Sequence, residues 1–170
     1  GGVMGVGIKK DPSSTGVNLG FKFQHLAHMR VTNAYSHDYS SDNEGGFVWE
    51  NTEDAGGEQR WTESGYFLGL RSANCKNGVW FRQGTPSGRL SFGYNRLQFT
   101  VSSMPTAGRG FRLDQGCALY GADVDGNIYM AGDANAVGVD IDGRLNHGRA
   151  RFSGEKAGDP PRDQTWFRLG

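Results

Sequence analysis

Gly46-Phe47-Val48-Trp49, Gly78-Val79-Trp80-Phe81 and Gly110-Phe111-Arg112-Leu113 are one tetrapeptide written three times: glycine, apolar, any residue, apolar. The same form occurs at Gly5-Val6-Gly7-Ile8, Gly20-Phe21-Lys22-Phe23 and Gly138-Val139-Asp140-Ile141, and the successive glycines lie 15, 26, 32, 32 and 28 residues apart. Apolar residues two apart are the signature of a strand, and a glycine just ahead of them suits a corner where the backbone takes positive φ. Further alternating stretches fall between the units, at Met29 to Thr32, Phe67 to Leu70 and Leu97 to Val101, so each repeat holds at least two strands. Helical windows are broken throughout by Gly, Ser, Asn, Asp and Pro. A strand-rich repeat that cannot bury its apolar side alone needs stacked neighbours, which predicts an all-β parallel solenoid of five to six coils. An antiparallel β-sandwich is the alternative.

Glycine accounts for 28 of 170 residues without a three-residue period and beside abundant aromatics, which excludes collagen and simple disorder. A formal charge of zero gives no global field to draw the chain to nucleic acid or to an anionic membrane, and no apolar run is long enough to insert into a bilayer. Nucleic-acid binding and membrane insertion are therefore not expected. Cys75 and Cys117 are too few for a disulfide framework, and they lack the CxxC spacing of a zinc site. His25, His28, His37 and His147 form no HExxH pattern, and Asp123, Asp125 and Asn127 lack the full order of a calcium loop, so no metal or other cofactor is expected. With no initiator Met and a start within the repeat, the chain reads as a segment of something longer.

Met29-Arg30-Val31-Thr32-Asn33-Ala34-Tyr35 leading to Gly46-Phe47-Val48-Trp49, and Leu70-Arg71-Ser72-Ala73-Asn74-Cys75-Lys76-Asn77 leading to Gly78-Val79-Trp80-Phe81, look like consecutive coils. On these lines residues 17 to 115 resemble the right-handed parallel β-helix of pectate-lyase-like proteins, a family that includes bacteriophage tailspikes and tail-associated proteins. The resemblance implies a right-handed coil, a trimeric assembly, a location on a virion tail or outside the cell, and a cell-surface polysaccharide as partner. It carries over no catalytic motif. After Cys117 the texture changes. Asp125-Gly126 and Asp142-Gly143 stand between alternating runs, a hairpin signal. The chain thus reads as a single domain, with coils over 1–117 and an antiparallel hairpin cap over 118–170.

If the coils stack in register, the residue after each unit forms an outward column of Gln24, Glu50, Arg82, Asp114 and Asp142, and the middle residue another of Lys22, Val48, Trp80, Arg112 and Asp140. Glu50 and Asp114 would stand roughly 9 to 10 Å apart, at or just beyond the upper end for an inverting glycosidase pair, with Arg82 placed for a sugar carboxylate and Trp80 for stacking. The plainer reading is a charge ladder down an exposed sheet. Outward Val48 and Trp80 would expose apolar surface for self-association. The long acidic segment 51–64 offers Asp54, Glu58, Arg60 and Trp61, types suited to stacking on a sugar ring and bonding its hydroxyls. Three functions follow: a structural and receptor-binding segment of a phage tail protein that recognises cell-surface polysaccharide, a polysaccharide hydrolase or lyase using Glu50 and Asp114, and a lectin-like carbohydrate-binding module.

Overall fold

A computed structural model describes residues 2–52, 61–84, 90–130, 135–156 and 164–170. The chain is all-β and winds as a parallel solenoid of about five turns over three sheets. Sheet I holds β3 (Leu19–Phe23), β6 (Gly45–Asn51), β9 (Asn77–Gln83), β12 (Arg109–Leu113), β15 (Val137–Ile141) and β18 (Thr165–Leu169). Sheet II holds β7 (Thr62–Glu63), β10 (Leu90–Gly93), β13 (Cys117–Tyr120) and β16 (Arg144–Asn146). Sheet III holds β1 (Gly2–Met4), β2 (Gly7–Lys9), β4 (Arg30–Thr32), β5 (Tyr35–His37), β8 (Tyr66–Ala73), β11 (Arg96–Ser102), β14 (Asp123–Met130) and β17 (Arg149–Lys156). From β6 onward the chain passes through sheets I, II and III in turn before it returns to sheet I one coil further on.

The five later glycine units align as the sequence predicts. Phe21, Phe47, Val79, Phe111 and Val139 pair in succession down sheet I, and Phe167 continues the column as a sixth rung. Two positions on, Phe23, Trp49, Phe81 and Leu113 form a second inward column. The rings of Trp49 and Phe81 stack 4.8 Å apart, and those of Phe21 and Phe47 5.1 Å apart. Sheet III contributes Val31, Phe67, Leu97 and Val124 from the other side of the same core.

The repeated glycines have a different cause from the one expected. Gly46 and Gly78 are not among the positive-φ residues. A Cβ on Gly78 would lie 2.5 Å from Val101 Cγ2 and 2.7 Å from Gly110 O, and one on Gly46 would collide with Ser72 Oγ and approach Cys75 Sγ to 3.2 Å. The glycine column lets the backbone of sheet I rest against the side chains of sheet III. Positive φ falls instead at the two-residue corners from sheet II to sheet III, on Ser64, Tyr94, Gly121 and His147.

Two further expectations are corrected. Parallel pairing continues to the end of the described chain, so the described residues of 118–170 form further coils in place of the expected hairpin cap. Asp125-Gly126 lies inside β14, where Gly126 leaves room for the Phe99 ring of the preceding coil, and Asp142-Gly143 is a corner between sheets I and II. The unit at Gly5 does not join the sheet I column, because Gly7–Lys9 pairs with β5 in sheet III. Outward Val48 and Trp80 are both buried and leave no apolar patch for self-association.

Gly78→Ala should lower stability by about 1 to 3 kcal/mol, the usual cost of overpacking. Urea unfolding of Gly78→Ala, Val101→Ala and the double variant should show less than additive loss, because the smaller side chain opens room for the new methyl. Additive losses would mean that the two positions do not meet.

Candidate functional site

Stacking in register converts the sequence columns into a ladder on the outer face of sheet I. Glu50 accepts from Lys22 Nζ at 2.5 Å on one oxygen and from Arg82 Nε at 2.6 Å on the other. The guanidinium groups of Arg82 and Arg112 lie 4.7 and 4.6 Å from the centre of the Trp80 ring, while Trp80 Nε1 donates to Asp114 at 2.9 Å. Asp114 also accepts from Arg112 Nε at 2.5 Å. One coil further, Asp140 is held between Arg109 and Arg168.

This face satisfies itself. Burial works against the charge of Glu50, but Lys22 and Arg82 outweigh it and hold the carboxyl below the ordinary glutamate range. Burial likewise opposes charge on Asp140, and Arg168 and Arg109 overcome it. A carboxylate held in this way is a poor proton donor, and two guanidinium groups occupy the ring that a sugar would need on Trp80. Glu50, Asp114, Trp80, Arg82 and Gln24 do border one shallow depression. Its chemistry is that of a closed ion-pair network.

The outer face of sheet II is open. A groove of about 710 Å³ runs across all four of its strands. Ser91, Gly93 and Ala118 leave the middle strands low, and Trp61, Tyr94 and Tyr120 line the same groove with 53%, 60% and 39% of their surfaces exposed. Glu63, Asp142, Arg144 and Asn146 add carboxylate, guanidinium and amide groups. Among the described residues Arg144 has no ion-pair partner, in contrast to Arg82 and Arg112 on sheet I.

Tyr94 is the unusual member. Its φ of 53° is left-handed, a conformation that costs a bulky side chain roughly 1 to 2 kcal/mol. Its ring packs over Gly121, where a Cβ would lie 2.8 Å from Tyr94 Cδ1, and meets Tyr120 edge-on at 5.7 Å. The adjacent coil thus carries a glycine notch that seats an exposed aromatic. Cys117 also borders the groove, but its side chain is buried, and burial and Asp114 push the thiol up to about 12, so it offers no thiolate.

Of the four candidates in the acidic segment, Trp61 lies among the described residues and lines the groove. Asp54, Glu58 and Arg60 lie outside the described residues. Tyr94, Tyr120 and Arg144 escape the sequence reading because sheet II is short and has no glycine motif. The available signal is the spacing of Phe92 and Leu119, which pair one coil apart and fix the positions of both tyrosines.

No family model, curated protein or solved structure matches this chain.

Glu50→Gln should cost on the order of 3 kcal/mol at neutral pH, because Lys22 and Arg82 lose their shared counter-charge. The folded carboxyl is depressed below its unfolded value. Its contribution is therefore present above about pH 4.3 and lost as pH falls through the folded value. Denaturant unfolding at pH 7 and pH 3 should show the gap between wild type and variant narrowing in acid. A gap unchanged at pH 3 would remove the ion pair as its cause.

Proposed function

We propose that this chain is a rigid, receptor-binding segment of a bacteriophage tail or tailspike protein, acting outside the cell in a trimeric assembly, and that the groove over sheet II holds a cell-surface polysaccharide. The solenoid fold and the resemblance of residues 17 to 115 to tailspike-like coils support the setting.

The observation that carries the reading is the seating of Tyr94 in the groove. The left-handed corner recurs in every coil, on Ser64, Gly121 and His147 as well, but at Tyr94 it carries a large exposed aromatic fitted over a glycine of the next coil, which adds little to the core. With Trp61 and Tyr120 it offers flat apolar faces, and the surrounding carboxylate, amide and guanidinium groups offer hydrogen bonds to hydroxyls. That pairing suits sugar rings. Successive coils are ~4.8 Å apart, so a groove crossing four strands presents a row of contacts to an extended polymer.

Recognition is preferred to cleavage because Glu50 is doubly ion-paired, and Asp114 is bonded to both Arg112 and Trp80. Under this reading Glu50 and Asp114 brace the rod, and Trp61, Tyr94 and Tyr120 touch the glycan.

Tyr94→Asn gives a clean separation, because Asn accepts left-handed backbone and removes the ring. On an array of bacterial surface polysaccharides the variant should bind at least tenfold more weakly than wild type while its melting temperature holds or rises. Reducing-end release should be absent from both proteins. A lower melting temperature with binding intact would make Tyr94 a packing residue, and release that is lost in Glu50→Gln would make the protein a hydrolase or lyase.

A further inference from the structure

The first coil holds a constellation that the groove does not use. Glu44, just ahead of β6, is fully buried, and one of its oxygens serves two side chains at once. Oε1 accepts from Lys10 Nζ at 2.6 Å and lies 3.4 Å from Asn18 Nδ2, and it also accepts from the Asn18 backbone N–H at 3.2 Å. Oε2 is fixed by the Ser41 N–H at 3.0 Å. The Asn18 carboxamide is oriented from both ends: Nδ2 donates to Gly16 O at 3.1 Å, and Oδ1 accepts from Ser14 Oγ at 3.0 Å. Lys10 is itself held, since its backbone N–H donates to His37 O in the neighbouring coil. Glu44 Oε1 therefore bridges the Lys10 amine and the Asn18 carboxamide, and the Ser14 hydroxyl bonds the amide oxygen.

From this geometry we infer that Lys10 and Asn18 join in a self-catalysed amide bond, with Glu44 as the proton carrier. Glu44 Oε1 takes a proton from the Lys10 ammonium, and the neutral Nζ attacks Asn18 Cγ. Negative charge develops on Oδ1, where the Ser14 hydroxyl donates to it. Glu44 passes that proton to Nδ2 and the Cγ–Nδ2 bond breaks; the second proton of the attacking Nζ then passes by way of Glu44 to the leaving ammonia, which departs as ammonium with the nitrogen of Asn18 and the positive charge that Lys10 held. One C–N bond forms, one breaks, and nothing is oxidised or reduced. Burial would disfavour charge on Glu44, but Lys10 and the donors around it keep its carboxyl below the ordinary range, so it rests as a carboxylate with room for the Lys10 proton.

The bond would tie the end of β2 to the start of β3 and close the loop between them. Ring closure of this kind restricts the unfolded chain as a disulfide does, and here both cysteines are free and buried. The inference is independent of the sheet II groove.

Intact-mass and tandem mass spectrometry of the purified protein read the outcome directly. Wild type should be lighter than its sequence by one ammonia, resist trypsin after Lys10, and yield a branched peptide joining Lys10 to Asn18. Lys10→Arg keeps the ion pair with Glu44 but cannot form the amide, and it should have full mass, as should Asn18→Ala and Glu44→Gln. Wild type at full mass, with cleavage after Lys10, would overturn the proposal. So would an ammonia loss that persists in Lys10→Arg, which would be cyclisation of Asn18 onto its own backbone.

Discussion

The backbone of sheet I lies directly on the side chains of sheet III, and this close approach is open only to residues without a Cβ. At Gly78 the space that a methyl would take belongs to Val101 and to the carbonyl of Gly110, one coil away. Because the notch recurs in each coil from Gly20 to Gly110, it sets where each of these turns enters sheet I. A slip of one residue would place a side chain in the notch and turn the aromatic columns out of the core. The stacked rings of Phe21, Phe47, Trp49 and Phe81, and the ladder outside them, follow from that alignment.

The same alignment yields two outer faces with opposite properties. On sheet I, Glu50 and Asp140 each stand between two cations, and Trp80 is covered by two guanidinium groups. Such a face is stiff and chemically spent. On sheet II the middle strands carry Ser91, Gly93 and Ala118, which leaves a groove, and the corner beyond it carries aromatics in strained or exposed positions. A rod braced on one side and open on another suits a protein that holds a long polymer without altering it.

Much of the architecture was legible in the repeat. Period-two apolar pairs behind glycine identify parallel coils, and reading the residues between and after them predicts the Glu50–Arg82 contact. What misled was glycine itself, which has three distinct uses here. At Gly46 it admits a neighbouring side chain, at Gly121 it takes positive φ beneath Tyr94, and at Gly126 it makes room for Phe99 within a strand. The Asp125-Gly126 pair imitates a hairpin turn because the last use produces the same local sequence as a turn. Trp80 reads as exposed because alternation points it outward, while its cover comes from Arg82 and Arg112, two residues that alternation also points outward. The groove was least legible, since its tyrosines are set by a short sheet without a motif of its own.

Under the proposed function the molecule meets its ligand on sheet II and leaves the sheet I ladder untouched. The indole N–H signals of its tryptophans report on both faces, because Trp61 lines the groove and Trp80 Nε1 is bonded to Asp114 within the ladder. An NMR titration with oligosaccharides cut from a bacterial surface polysaccharide should shift the Trp61 indole and the Tyr94 and Tyr120 amides while the Trp80 indole stays in place. Movement of the Trp80 indole with Trp61 unchanged would contradict the account and return the ligand to the ladder of Glu50, Arg82 and Asp114.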